Sequence, residues 1–478
     1  MNKENKNFLL NVVYQILTYL FPLITAAYVS RILGVENIGI YSYSYSIVYM
    51  FMLVAMLGIS NHGNRCVAKV REDKDALSKT FWEIYHLQLM VGFIVCCFYF
   101  LFLIIYHSNN KNIFVLQTIF LLSVLMDINW LYFGLEKFKI TITRNLIIKI
   151  ISIVFIFLLV NEASDLWIYT LIMGIATFLS QLYLVLLLKK YVKFQRFSFH
   201  SSIKHLRSCL VLFVPVLAYG VYRVMDKIMI GALSTQTELG FYENAEKIIN
   251  IPIMIITALG TVMLPHMANL FKDEGVEYQS KIYSSMKIAL LFSTIASGGL
   301  ILIGQDLAVV LFGEAFFKSG GIIQLLSVTV IASAWANVIR TQFLIPTNRD
   351  KIYVISTIFG ALVNLILNVI FIPRLGAYGA CIGTIFAEFS VMIYQSVYTR
   401  QQLEIGKYCR LLLIYLVSAI LVIGLTYCAT FWIGNRVIRL ICRIAIAIIL
   451  FIIFHYNYIM FEFLGCKKRS KDVSREES

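Results

Sequence analysis

The chain alternates between long apolar runs and short polar connections. A helix needs about 20 mostly apolar residues to cross the hydrocarbon core of a bilayer. The pattern therefore predicts an all-α polytopic membrane protein with about fourteen transmembrane helices. The predicted runs are Phe8–Leu33, Ile38–Ser60, Phe81–Tyr106, Ile113–Phe133, Ile140–Val160, Leu166–Leu188, Cys209–Leu233, Ile248–Leu270, Ile282–Ile303, Gly321–Ile345, Tyr353–Ile372, Ala377–Tyr398, Leu411–Phe431 and Val437–Phe461.

The connections between the runs differ in charge. Every second connection is rich in lysine and arginine, as in Arg65–Lys79 and Lys189–Arg207, whereas Asn161–Asp165 and Gly231–Leu239 contain neither. The positive-inside rule places the basic connections in the cytoplasm. Both termini are then cytoplasmic, which agrees with an even number of spans. We expect a multi-pass protein of the bacterial cytoplasmic (inner) membrane whose first helix is retained as an anchor.

The order of the runs indicates two halves. The longest basic connection follows the sixth run, and Gly39-Ile-Tyr41 and Gly240-Phe-Tyr242 stand at corresponding places on either side of it. Repeats of this kind are a transporter architecture, so we predict two pseudo-symmetric six-helix lobes around a central lumen. The predicted segments are the N-terminal lobe (1–189), a cytoplasmic linker (190–207), the C-terminal lobe (208–402), two extra helices (403–464) and a basic cytoplasmic tail (465–478).

Composition supports membrane embedding and excludes other classes. Of the 478 residues 60% are hydrophobic and 14% are charged, whereas soluble proteins contain about 25% charged residues. The net charge of +15 does not indicate nucleic acid binding, because the basic residues lie in the connections. The cysteines and histidines are dispersed without metal-ligand spacing, and the sequence has no Walker motif. We therefore expect no enzyme, metal or cofactor, and an energy source such as H⁺ or Na⁺ coupling, a partner or the substrate gradient.

Charged residues inside the apolar runs are the main functional candidates, because they are costly in a bilayer. Arg223, Asp226 and Lys227 are spaced so that all three share one helix face. Cations at membrane depth suit an anionic substrate such as a pyrophosphate. The structural alternatives are snorkelling to the interface and a buried ion pair. The predicted substrate-binding cations are Arg31, Lys149, Arg223, Lys227 and Arg340, and the predicted coupling or charge-balancing residues are Asp127, Asp226 and Glu388.

A stripe of tyrosines in the second run is a candidate for stacking on sugar rings. It consists of Tyr41, Tyr43, Tyr45 and Tyr49. The structural alternative is more common, because most aromatic side chains in membrane helices are core, lipid-facing or interfacial.

Several phrases of the sequence are distinctive: Tyr28-Val-Ser-Arg-Ile-Leu-Gly34, Asp127-Ile-Asn-Trp-Leu-Tyr-Phe-Gly-Leu-Glu-Lys-Phe138, Asp226-Lys-Ile-Met-Ile-Gly231 with Gly240-Phe-Tyr-Glu-Asn-Ala245, and Asn364-Leu-Ile-Leu-Asn-Val-Ile-Phe-Ile-Pro373. These phrases resemble the Wzx-type polysaccharide flippases of the multidrug/oligosaccharidyl-lipid/polysaccharide exporter superfamily. The resemblance implies two lobes around a lumen that opens to one side at a time. It also implies an undecaprenyl-pyrophosphate-linked oligosaccharide substrate for O-antigen, capsule or exopolysaccharide. The polysaccharide polymerase and assembly proteins are the expected protein partners, beside membrane lipid.

Other functions stay open at this point. A lipid II flippase or a drug/cation antiporter of the same superfamily would share the helix pattern. A membrane polysaccharide polymerase or ligase is an alternative of another class, but such enzymes usually have a large outer loop, and the longest outer connection here is Gly304–Gly320. A structural scaffold would be poorly served by buried charges.

Overall fold

The chain is almost entirely helical in its computed structural model, which describes residues 3–195, 198–270 and 277–459. No β-strand occurs in these residues. The predicted tail, 465–478, lies outside them. The helices are α1 (Lys3–Met56), α2 (Ile59–Val70), α3 (Lys74–Ile105), α4 (Lys111–Leu125), α5 (Asn129–Gly134), α6 (Phe138–Leu159), α7 (Leu166–Leu187), α8 (Phe199–Ile203), α9 (Leu206–Leu233), α10 (Gln236–Leu270), α11 (Glu277–Phe312), α12 (Phe317–Leu326), α13 (Thr329–Ile339), α14 (Asp350–Leu375), α15 (Ala377–Thr399), α16 (Ile405–Thr430) and α17 (Arg436–Ile459).

The predicted class, an all-α polytopic membrane protein, is confirmed. Within the described residues twelve stretches are long and apolar enough to cross a bilayer, or thirteen if the bent pair Glu314–Leu326 and Thr329–Leu344 is one span. The sequence predicts about fourteen, and the difference arises at the first two predicted runs, which are counted here as one stretch. They correspond to two helices that meet within α1 at a kink at Gly34, where φ is 79° and ψ is 174°. Glycine adopts a positive φ without the steric cost that a side chain imposes.

The chain divides into two compact units. The first comprises Met1–Glu243 and Leu367–Ala380, and the second comprises Asn244–Ile366 and Cys381–Ser478. The sequence analysis predicted a different division, into two pseudo-symmetric lobes on either side of the linker 190–207. That division stays a prediction.

In the first unit a buried cluster around Phe81, Trp130 and Tyr132 holds α2, α3 and α5 together. Hydrogen bonds anchor the aromatic rings: Tyr132 donates to the carbonyl oxygen of Leu184 at 2.7 Å, and the Trp130 indole donates to Gln88 Oε1 at 3.0 Å. Buried tyrosine and tryptophan need such partners for their polar atoms. This cluster holds α2 in place against α3 and α5.

Two glycines allow α1 and α10 to approach closely within the first unit. A Cβ added to Gly39 would collide with the carbonyl oxygen of Gln236, and one added to Gly240 would collide with the carbonyl oxygen of Val35. The two Gly-x-Tyr phrases that the sequence analysis paired therefore lie against each other. Only glycine permits backbone contact at this distance, and the contact positions the start of α10 beside α1.

In the second unit a buried charge cluster fastens α17 to α11. The Asp306 carboxylate, 4% exposed, accepts hydrogen bonds from Arg439 Nε at 2.8 Å and from Arg443 at 2.9 Å. Arg443 also donates to the carbonyl oxygen of Leu302 at 2.9 Å. Of the two C-terminal helices, α17 is thus joined to α11 by ion pairs, and both α16 and α17 pack against α11 through apolar side chains.

Candidate substrate-binding site

An ion pair in the first unit joins two predicted membrane helices. Lys227 Nζ on α9 lies 2.8 Å from Glu243 Oε2 on α10, and the two side chains are 18% and 14% exposed. Ser42 on α1 donates to the same carboxylate oxygen at 2.6 Å. The charge of Lys227 is therefore partly balanced by a residue that the sequence analysis did not select.

Tyrosines of α1 continue from this ion pair as a ladder. Tyr41 and Tyr45 have ring centroids 6.0 Å apart, Tyr45 and Tyr49 have centroids 6.2 Å apart, and Tyr169 meets Tyr41 edge-on at 4.8 Å. The predicted stripe splits at Tyr43, because residues four apart share a helix face and residues two apart do not.

Tyr43 lies in a different environment from the ladder. Its ring packs edge-on against Phe114 at 6.1 Å and fills the space in front of Gly231. The ladder of the candidate site is thus Tyr41, Tyr45 and Tyr49, with Tyr169 contributed by α7.

The three charged residues of α9 differ in their surroundings. Asp226 is buried, and its two carboxylate oxygens accept hydrogen bonds from Tyr242 at 2.8 Å and from Asn368 Nδ2 at 2.6 Å. Arg223 is exposed, and Lys227 is half-buried in its ion pair. Asp226 therefore links α9 to α10 and to α14 within the first unit. Arg223, in contrast, is exposed on the surface of α9.

A second polar network surrounds Asp127 at the break between α4 and α5. Asp127 Oδ1 accepts from the Asn129 backbone at 3.0 Å and from its side chain at 2.6 Å. The buried Arg144 of α6 donates to Asn129 Oδ1 at 3.1 Å and to the carbonyl oxygen of Ser180 at 2.8 Å. An aspartate that accepts a hydrogen bond from the backbone two residues ahead stabilises a turn. Asp127 therefore stabilises the turn that separates α4 from α5.

The remaining predicted residues are distributed over both units. Arg31 is exposed on α1, and Lys149 is half-buried on α6, both in the first unit. In the second unit Arg340 lies over the Tyr353 ring, 5.4 Å from its centroid, and Glu388 accepts a hydrogen bond from Ser333 at 2.7 Å. Their assignment to substrate binding or coupling stays a prediction.

Sequence reasoning missed Glu243, Ser42 and Tyr169. A signal for Glu243 was present, because it is a carboxylate within the phrase Gly240-Phe-Tyr-Glu-Asn-Ala245. Ser42 had no signal of its own, since its role depends on the close approach of α1 and α10 at the paired glycines.

These features can be set beside known families. The sequence profile of the family described as "Polysaccharide biosynthesis protein" matches residues 5–271, more than half of the chain. The chain belongs to this family. The match includes α1 to α10, and therefore the ion pair, the tyrosine ladder and the kink at Gly34.

Curated relatives of the family align over most of their length. A "Putative O-antigen transporter" of Shigella dysenteriae is 23% identical over 394 residues, which are 81% of this chain and 98% of the relative. A protein with the same description from Escherichia coli K12 is 22% identical, with 84% of this chain and 98% of the relative aligned.

Solved structures of related transporters share the fold. The lipid II flippase MurJ in an inward closed conformation gives a TM-score of 0.71 at 15% identity, with 94% of this chain and all of that chain covered. An inward-facing multidrug MATE transporter of the MOP superfamily gives a TM-score of 0.63 at 14% identity, with 82% of this chain and 94% of that chain covered. The chain therefore has the fold that these two transporters share.

Proposed function

We propose that this chain is a flippase that moves undecaprenyl-pyrophosphate-linked oligosaccharide repeat units from the inner to the outer leaflet of the bacterial cytoplasmic membrane by alternating access. The observation that carries the proposal is the combination of cations and tyrosines in the first unit. Arg223 is exposed one helical turn before Lys227, and Lys227 is held by Glu243, whose carboxylate also binds Ser42 beside Tyr41 of the ladder. Family membership and the O-antigen transporter relatives support the same substrate class.

The chemistry of such a substrate matches the two parts of the site. A pyrophosphate carries negative charge on several oxygens, which arginine binds with a bidentate fork and lysine binds as a point charge. The sugars of the repeat unit would lie along the ladder of Tyr41, Tyr45 and Tyr49, whose rings offer flat apolar faces. The polyprenyl tail would remain in the bilayer, so the site has to hold only the polar part.

Glu243 gives the site a means of release. A pyrophosphate that binds Lys227 competes with Glu243, which lies 2.8 Å from Nζ. When the substrate leaves, the ion pair between the Glu243 carboxylate and the Lys227 ammonium group can form again. The cation is then never left without a counter-charge at membrane depth, where an isolated charge is costly.

Deletion of the gene in the strain that encodes it tests this function. We expect surface polysaccharide to disappear while lipid-linked repeat units accumulate, and expression of the intact chain to restore the polymer. Normal surface polymer in a strain without a second flippase gene would contradict the proposal. Failure of peptidoglycan synthesis with intact surface polymer would instead indicate lipid II as the substrate.

Variants at Arg223 test the site within the same strain. Arg223→Ala should reduce surface polymer strongly, and Arg223→Lys should retain more of it, because lysine keeps the charge but loses the bidentate geometry. The amount of protein in the membrane should stay at the wild-type level, since Arg223 is exposed. A parallel loss of protein and polymer would make Arg223 a structural residue, and full polymer in Arg223→Ala would remove it from the site.

A further inference from the structure

A cluster of metal-ligand side chains lies in the first unit and shares no residue with the ion pair or the tyrosine ladder. His62 and Cys66 are four residues apart on α2 and therefore share one helix face. His205 precedes α9 and is 143 residues from His62 along the chain. One ligand atom from each of the three residues lies within 4.8 Å of the other two.

The ligand atoms of the cluster are close enough together to share one ion after a small adjustment. His62 Nε2 is 2.8 Å from His205 Nδ1 and 3.4 Å from Cys66 Sγ. Two nitrogens bound to zinc at about 2.0–2.1 Å with tetrahedral angles are about 3.3 Å apart. An ion between the rings therefore requires the two imidazoles to separate by about half an ångström, which side-chain rotation can supply.

Glu83 on α3 occupies the position of a supporting group. Its Oε2 lies 3.3 Å from Nε2 of His205, the ring nitrogen that faces away from His62. Metal-bound histidines typically donate their second ring N–H to a carboxylate, which fixes the ring orientation and strengthens the ligand. A hydrogen bond from Nε2–H of His205 to Glu83 would leave the Nδ1 lone pair of His205 directed at the cluster.

We propose that this cluster is a binding site for one zinc ion, with His62 Nε2, His205 Nδ1 and Cys66 Sγ as ligands and water in the fourth position. Two imidazoles and a thiolate suit zinc, whereas calcium and magnesium prefer oxygen ligands. The Cys66 thiolate and the Glu83 carboxylate together offset the double charge of the ion. This offset matters because Arg65 and Lys69 add positive charge on the same helix.

The chain supplies both rigidity and access for such an ion. His62 is buried beside the aromatic cluster of α2, α3 and α5, while Cys66 and His205 are half-buried. The bound ion would join α2 to the end of the predicted linker, 190–207, in which His205 lies. The connection that separates the two predicted lobes would then be fastened to α2 at a fixed point.

Cobalt binding to the full-length protein tests the site. The protein would be purified with a tag that contains no histidine, placed in lipid nanodiscs, treated with a chelator and titrated with Co²⁺, a spectroscopic substitute for zinc. We expect one tight site per chain, visible tetrahedral cobalt bands and a thiolate-to-cobalt charge-transfer band in the near ultraviolet. Zinc should displace the cobalt and remove the bands.

Matched variants assign the ligands. Cys66→Ser should abolish the charge-transfer band, and His62→Gln and His205→Gln should each weaken binding at least tenfold. Glu83→Gln should weaken it about 10–100-fold while the charge-transfer band remains, as expected for a supporting group. Cys428→Ser and His107→Gln, at exposed positions outside the cluster, should bind as the wild type does.

Two results would overturn the proposal. One is a wild-type protein that takes up no cobalt or zinc beyond the level of the Cys66→Ser variant. The other is a Cys66→Ser or His62→Gln variant with the wild-type affinity and spectrum. Elution as a single peak in size-exclusion chromatography would confirm that each variant is folded, so that lost binding is not a result of misfolding.

Discussion

Removal of Lys227 should destabilise the folded protein by leaving the Glu243 carboxylate without its nearest cation. The charged atoms are 2.8 Å apart, which corresponds to about 6 kcal/mol of Coulomb attraction at an effective dielectric constant of about 20. Desolvation of the two ions opposes most of this attraction, so the intact pair has a small net effect. Loss of one partner of a buried pair, however, costs about 3–5 kcal/mol.

A double-mutant cycle in purified protein measures this effect. We expect Lys227→Met and Glu243→Gln each to lower the free energy of unfolding by about 3–5 kcal/mol. For a chain of this length that loss corresponds to a fall in melting temperature of about 3–5 °C. The double variant, which contains neither charge, should be more stable than the sum of the single losses predicts, by about 1.5 kcal/mol or more.

Ser42→Ala provides the matched control. It removes only the 2.6 Å hydrogen bond to the Glu243 carboxylate and should cost about 1.5–3 kcal/mol, less than the loss of the lysine. Additive effects of Lys227→Met and Glu243→Gln would refute the reasoning, because additivity means that the two charges do not interact in the folded state.

Three further predictions concern the fold and the orientation of the chain. Gly39→Ala should lower the melting temperature, because overpacking costs about 1–3 kcal/mol, whereas Gly299→Ala, which has open space before it, should leave it unchanged or raise it. Asp306→Asn should cost about 3–5 kcal/mol by separating α17 from α11, whereas Arg436→Ala, which breaks the exposed pair with Glu314, should cost about 1 kcal/mol or less. A reporter fused after Ser478 should be active only in its cytoplasmic form, and outer-side activity would reverse the predicted topology.

The sequence predicted the helical architecture well because each membrane span is a local pattern. Hydropathy alone placed α6, α14 and α15 within three residues of their observed limits. It separated the first two runs because Gly34-Val-Glu-Asn is polar, and this phrase begins at the kink where the two helices of α1 meet.

The candidate site was predicted less completely, since it depends on contacts between distant segments. The charges on α9 were found because each is exceptional in an apolar run, but their partners were not. Asn368 and Tyr242, which bind Asp226, are ordinary polar residues in sequence. The pair His62 and Cys66 is visible in sequence as residues four apart, but His205 could not be joined to it, because no spacing rule relates residues that are 143 positions apart.

Transport in a purified system measures directly whether the chain moves lipid-linked repeat units across a bilayer. Lipid-linked repeat units from the producing strain would be reconstituted with the full-length protein in liposomes, and their sugars on the outer leaflet would be removed by a membrane-impermeant glycosidase. We expect the protected inner-leaflet pool to become accessible with wild-type protein and to stay protected in empty liposomes and with Arg223→Ala. A pool that stays equally protected with folded wild-type protein, in the presence and absence of H⁺ and Na⁺ gradients, would contradict it.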